Sequence, residues 1–231
     1  FKQIFAVAKA AGFASVQSSL EHLPFGTMLG KDGKPFKTRQ GGIIKLAELL
    51  DEAERRAAEL VREKNPDISP DQLQNLAKVI GLGAVKYADL SKNRTSDYVF
   101  DWDQMISFDG NTSPYLQYAY SRIQSLLTKA GVDPRELPQQ TVAVDEPERR
   151  LAVCIAGFND VLQQVADEGF PHYLCAYLYE LATRFTTFYE QCPILNSEAD
   201  QRLRRLTLAH STGTTLAAGL DLLGIGVVDH M

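Results

Sequence analysis

Cysteine is scarce in this chain: Cys154, Cys175 and Cys192 are an odd number with no Cys-x-x-Cys spacing. Neither a disulfide framework nor a zinc site is indicated, and buried free thiols are the expectation. Histidine is equally thin. His22, His172, His210 and His230 lie far apart, without a metal-type His-x-x-x-His pair and without a grouping that suits a nucleophilic triad. His172 is expected at a helix start and His210 on a helix, and no metal is expected. Long apolar runs are missing too: none approaches the roughly 18 residues that cross a bilayer, and no basic n-region precedes an apolar stretch with a cleavage site. A cytoplasmic chain with no membrane partner is therefore expected. Positive charge is in deficit, 24 Lys and Arg against 29 Asp and Glu, for a net charge of −5. That argues against gripping nucleic acid by bulk electrostatics, so any such contact falls to local clusters such as Lys31, Lys34, Lys37 and Arg39. Internal repeats and low-complexity tracts are absent. The chain opens on Phe1, inside an apolar-periodic stretch without a preceding cap, as expected of a chain cut from something longer.

What is present is ample for folding: 231 residues, 45% of them apolar, suffice for one large or two ordinary domains. A first helix reaches about Ala11, and short apolar pieces broken by Gly, Pro and the turn Lys31-Asp-Gly-Lys34 give an α/β character. From Ile43 the apolar residues Leu46, Leu49, Leu50, Ala53, Ala57 and Leu60 take helical spacing, until Asn65-Pro66 stops them. Ser69-Pro70-Asp71-Gln72 combines a cap, Pro at the first helical position and Gln three residues on, and opens a helix toward Gly81. Tyr87 to Asn111 is polar and aromatic without a long period and reads as a connector, its Asp101 and Asp103 as caps or connector charges. Four helical segments follow, starting near Ser113-Pro114, Glu146-Pro147, Phe170-Pro171 and Asn196-Ser197, the last closing at Leu223-Gly224. Their apolar stripes indicate a bundle. The fold class is mainly α with a small α/β part.

Two constellations stand out. Between Phe25 and Gly42, glycines bracket four cationic side chains, so a backbone free to bend could wrap a polyanion while ammonium and guanidinium groups reach its oxygens. A surface hairpin decorated with lysines is the plainer reading, since the spacing is neither GxGxxG nor a Walker loop. On the helix after Pro114, Tyr115, Ala119 and Arg122 share one face, with Tyr118 on its flank. Such a stripe serves equally as core or as a stacking surface for unpaired bases.

Phe25-Gly-Thr-Met-Leu-Gly followed by Lys34-Pro-Phe-Lys-Thr-Arg resembles the degenerate signature loop, usually written KMSKS, of bacterial-type arginyl-tRNA synthetases. The stretch from Val85 to Asp103, Gly110-Asn-Thr-Ser-Pro-Tyr-Leu-Gln-Tyr-Ala-Tyr-Ser-Arg and Gly219-Leu-Asp-Leu-Leu-Gly-Ile resemble the same family, in the same order, over essentially the whole chain. The resemblance implies a C-terminal piece of a class I Rossmann-type catalytic domain followed by an all-α anticodon-binding helical bundle. It places the end of the catalytic domain in residues 1–66, a helical, stem-contacting connector in 67–110 and the anticodon-binding domain in 111–231. It implies ATP-dependent attachment of L-arginine to arginine tRNA, with ATP as substrate, Mg2+ accompanying it, no tightly bound cofactor, and a monomer. Lys34, Lys37 and Arg39 become the candidate catalytic cations, and Phe25, Gly26 and Lys37 the ATP contacts. Phe36 and Thr38 interrupt the usual wording, so the role of each cation stays open. Tyr115, Ala119, Arg122, Tyr189 and Met231 become the anticodon contacts, although a terminal methionine is ordinarily frayed. Lys92 and Arg94 become contacts to the tRNA backbone, with a structural role as the alternative. No His-x-Gly-His sequence occurs, so the chain alone is expected to be inactive. A free-standing tRNA-binding module is the competing reading; a purely helical interaction module would not need the Gly- and Lys-rich loop.

Overall fold

The computed structural model of the chain describes residues 1–35, 45–139 and 141–231. Its elements are α1 (Lys2–Ala10), β1 (Met28–Leu29), α2 (Leu46–Lys64), α3 (Pro70–Leu90), β2 (Tyr98–Val99), α4 (Trp102–Met105), α5 (Ser113–Ala130), a 3-10 turn (Pro134–Glu136), α6 (Glu146–Ala156), α7 (Phe158–Glu168), α8 (His172–Gln191) and α9 (Ala199–Leu222). A small α/β part and a helical bundle are both present, as the apolar periods require.

The start of α3 follows its cap chemistry. The Gln72 N–H donates to Ser69 Oγ at 3.4 Å, while the Ser69 hydroxyl donates to Gln72 Oε1 at 2.9 Å, with Pro70 at the first helical position. The helix then runs past Gly81, where the sequence suggested a stop, to Leu90. Gly81 is an approach point instead. A Cβ there would lie 2.8 Å from the backbone of Ala53 and Glu54, so its absence lets α2 and α3 touch along Ala53, Ala57 and Ala77, all buried. The expected boundary between residues 66 and 67 thus falls in the turn of a tightly packed helix pair.

The polar connector is stitched to the first segment. β1 and β2 pair in parallel, Met28 opposite Tyr98 and Leu29 opposite Val99. Asp101 caps α4, its carboxylate accepting from the Asp103 N–H at 3.0 Å, and also meets Lys31 Nζ at 3.1 Å. Burial raises the Asp101 pKa, but Lys31 and the Asp103 N–H outweigh it and hold the carboxyl below its usual range. Phe100 meets Trp102 edge-on at 4.9 Å, and the Arg56 guanidinium lies 5.1 Å from the Trp102 ring centre.

Among the described residues the bundle has five helices where the sequence suggested four segments, because the one opening at Glu146 breaks at Gly157 into α6 and α7. Leu116, Ile123, Leu151, Leu178, Leu181, Phe185, Phe188, Leu216 and Leu220 are fully buried at its centre. Each contributes about 1.5–3 kcal/mol of transfer free energy. Charged groups, Glu148 and Arg205, are also buried there. Glu148, 0% exposed, accepts from the Val144 N–H at 2.9 Å, from Arg204 Nε at 3.0 Å and from Arg205 Nε at 2.8 Å. Burial pushes its pKa up, yet these donors win and hold it at about 2. Arg205 adds Asp145 Oδ2 at 2.8 Å and the Pro193 carbonyl, so a single guanidinium joins the start of α6, the end of α8 and α9. The three thiols are buried and free; burial pushes Cys154 up to about 11 and Cys175 up to about 12. His172 opens α8 and His210 is half-buried in α9. After α9, Gly224 takes φ 67°, and the Ile225 N–H returns to the Leu220 carbonyl at 2.9 Å. Among the described residues, no helix is long and apolar enough to cross a membrane.

Candidate functional site

Thr112 sets the start of α5, its Oγ1 accepting from the Tyr115 N–H at 3.3 Å while its hydroxyl donates to the Ser107 carbonyl at 2.6 Å. From there the candidate residues of α5 meet α8. Tyr115, half-buried, faces the Tyr179 ring at 5.7 Å and Thr186 Oγ1 at 3.4 Å. The Arg122 guanidinium sits 4.0 Å from the Tyr189 ring centre. Ala119 is 4% exposed and belongs to the core, so it is a floor beneath these groups rather than an open notch. Tyr118, 46% exposed and 6.1 Å from Phe108, widens the aromatic surface. Tyr179 and Phe108 were not anticipated: both come from other elements, and no spacing within α5 signals them. The arrangement offers ring faces and a guanidinium for stacking flat, unpaired bases.

Met231 packs elsewhere. It joins the cluster of Ala57, Val61, Leu73, Ala77 and Ile80, beside Ile68 and Leu76. The tail that delivers it runs along α5: Gln117 Nε2 donates to the Gly226 carbonyl at 2.8 Å and Ser121 Oγ to the Asp229 carbonyl at 3.1 Å. Lys86 Nζ donates to the Gly224 carbonyl at the root of the tail. The terminus is held, but against α2 and α3.

In the candidate nucleotide segment, Gly26 is required by contact. A Cβ there would fall 2.1 Å from the Ser96 carbonyl oxygen, and the Gly26 N–H donates to the Arg94 carbonyl at 2.6 Å. Phe25 is 86% exposed and lines a cavity of about 270 Å³ with Gly26, Lys92 and Arg94. Lys34 is exposed on the turn after β1, its N–H donating to Asp32 Oδ1 at 3.1 Å. Lys37 and Arg39 lie outside the described residues. Lys92 is exposed. Arg94 has structural partners: Nε donates to the Gly169 carbonyl at 2.8 Å, Nη1 to the Pro24 carbonyl at 2.9 Å, and its guanidinium lies 4.7 Å from the Phe170 ring centre. It therefore joins the candidate nucleotide segment to the turn before α8, which favours the structural alternative over a phosphate contact.

Asp145, Glu148 and Cys192 approach closely enough to hold a metal ion. Arg204 and Arg205 already neutralise those carboxylates, which leaves the group an ion-pair network.

Two family models match separate parts of the chain. Residues 1–102 match the catalytic domain of the class I (R) tRNA synthetases, and residues 116–231 match the DALR anticodon binding domain. The chain is 54% identical over 232 residues to the arginine–tRNA ligase of a Marinomonas species and 56% identical over 231 residues to that of Klebsiella pneumoniae. These matches span 100% and 99% of this chain but 40% of each relative. Among solved structures, arginyl-tRNA synthetase of Thermus thermophilus superposes with a TM-score of 0.80 at 33% identity, covering 91% of this chain and 35% of that one. The Plasmodium falciparum enzyme gives 0.84 at 28% identity, covering 100% and 39%. The chain belongs to the arginyl-tRNA synthetase family, carrying part of the class I catalytic domain ahead of a DALR anticodon binding domain.

Proposed function

We propose that this chain serves ATP-dependent attachment of L-arginine to arginine tRNA, and that its own share of the task is to hold the anticodon and to supply the cationic ATP loop. The observation that carries the reading is the α5–α8 surface, where the Arg122 guanidinium lies over the Tyr189 ring and Tyr115 stands beside Tyr179, at and within the stretch matched to an anticodon binding domain. On this reading Tyr115, Arg122 and Tyr189 receive unstacked bases above the Ala119 floor. Met231 closes the RNA surface from the α2–α3 side, and Lys92 meets the backbone. Phe25 and Gly26 receive the adenine. Lys34, with Lys37 and Arg39, counters the charge that builds on phosphate oxygens as the arginine carboxylate attacks the α-phosphate and pyrophosphate leaves, with Mg2+ accompanying ATP. A monomer acting in the cytoplasm, laid out as residues 1–66, 67–110 and 111–231, completes the proposal.

The 231 residues hold no His-x-Gly-His sequence, so the chain alone is expected to bind tRNA without catalysing arginine-dependent ATP–pyrophosphate exchange. The deciding experiment compares its affinity, at fixed salt, for arginine tRNA and for the same tRNA with an altered anticodon. Phosphate attraction alone would not separate the two. Preference for the native anticodon, reduced at least about tenfold by Arg122→Ala, is the expected result; equal affinity for both tRNAs overturns the reading.

A further inference from the structure

The half-buried Arg94 side chain bonds groups from both matched parts of the chain. Nη1 donates to the Pro24 carbonyl, one residue before Phe25, while Nε donates to the Gly169 carbonyl and the guanidinium lies against the Phe170 ring. The turn that carries Arg94 is fixed locally. Asn93 Oδ1 accepts from the Thr95 N–H at 3.1 Å and from the Thr95 hydroxyl at 2.9 Å, and the Ser96 N–H returns to the Asn93 carbonyl at 2.9 Å. The same turn also templates the candidate nucleotide segment. The Arg94 carbonyl accepts the Gly26 N–H, Asp97 Oδ1 accepts the Thr27 N–H at 2.6 Å, and the Tyr98 N–H donates to the Thr27 carbonyl at 3.1 Å. This hold reaches residues 24–27, whereas α1 ahead of them buries none of its residues. Phe25 is 86% exposed, so the backbone anchors on either side of it decide where its ring stands.

We infer that Arg94 is a positioning residue for ATP: it sets Phe25 and Gly26 against the α7–α8 turn of the bundle and thereby gives the adenine contacts one geometry. Arg94 acts on the nucleotide at second hand, through the Pro24 carbonyl and through its own carbonyl on Gly26. Bonds from a charged donor are stronger than neutral ones, and a planar fork fixes direction as well as distance. Lysine would keep the charge, but it has neither the fork that spans two carbonyls nor the flat face that lies on Phe170. The inference rests on the reading of Phe25 and Gly26 as adenine contacts and adds the residue that holds them.

The test has two arms, each with Arg94→Ala and Arg94→Lys. In the 231-residue chain, hydrogen exchange at the Gly26 and Thr27 amides is expected to speed up about tenfold or more in both variants, while amides of α8 and α9 keep their rates. In a ligase that extends these residues to the length of the relatives, both variants should raise the KM for ATP about tenfold and leave the KM for tRNA unchanged. Unaltered exchange at Gly26 and Thr27, an unaltered KM for ATP, or full rescue by lysine overturns the positioning role. A raised KM for tRNA with ATP unaffected also overturns it and returns Arg94 to the phosphate contacts. Phe25→Ala without effect on the KM for ATP overturns instead the adenine reading on which the inference rests.

Discussion

The bundle behind Pro114 and the stretch ahead of Pro35 put the same kinds of residue to opposite use. In the bundle, apolar side chains of five helices meet one another, and the interior is dry enough to require a fully paired carboxylate at Glu148. In the first stretch, α1 buries none of its residues, and Phe13 and Val16 stand 89% and 90% exposed. Apolar spacing sufficed to form a helix in both regions. Burial arises only where a second element covers the stripe, so a helical pattern alone says nothing about stability. The bundle should therefore dominate the unfolding free energy, and the first stretch should open with little coupling to it.

Substitutions can break or sharpen that contrast. The largest effect is expected at Glu148→Ala, which leaves buried Arg205 with Asp145 alone to balance its charge. A loss of about 3–5 kcal/mol in denaturant melts is expected, and a loss under about 1 kcal/mol would mean that the network is loosely held. The same group gives the contrast a pH signature. Its carboxyl is held at about 2 in the fold, against an ordinary value of 4.5. Its contribution is therefore complete above pH 4.5 and fades as pH falls toward 2. Acid melts of Glu148→Gln should be flatter across that window than those of the unsubstituted chain.

Next comes Gly81→Ala. Its new methyl would meet the Ala53 backbone at 2.8 Å, and a cost of about 1–3 kcal/mol is expected from forcing α2 and α3 apart. A neutral or stabilising outcome would show that the pair slides freely. The smallest effect belongs to the first stretch. Ile4→Ser, on a side chain 62% exposed, should shift stability by no more than about 0.5 kcal/mol; a larger loss would mean that α1 is covered in solution.

Much of the fold was legible because its signals are local. Pro70, Pro114 and Pro147 stand at or next to the first residue of their helices, Ser69 caps where a hydroxyl is needed, and Gly224 turns the chain in the left-handed region. Gly81 misled in one direction and Gly157 in the other, since a glycine in a sequence does not announce whether it stops a helix or admits a neighbour. For the candidate site, the shared face of Tyr115, Ala119 and Arg122 followed from helical spacing. Tyr179 against Tyr115, and Met231 against Leu76, could not follow from any spacing.

By itself the sequence determined where most of the long helices lie and which side of each is apolar, because these depend on interactions within a few residues; it did not show α4, the end of α3 at Leu90 or the separate start of α7. Tertiary structure alone decided that Ala119 is a floor, that Arg94 joins two carbonyls and a ring from distant segments, and that the chain end lies by α3. Those outcomes depend on contacts between residues far apart in the chain, which helical periods and cap residues do not specify.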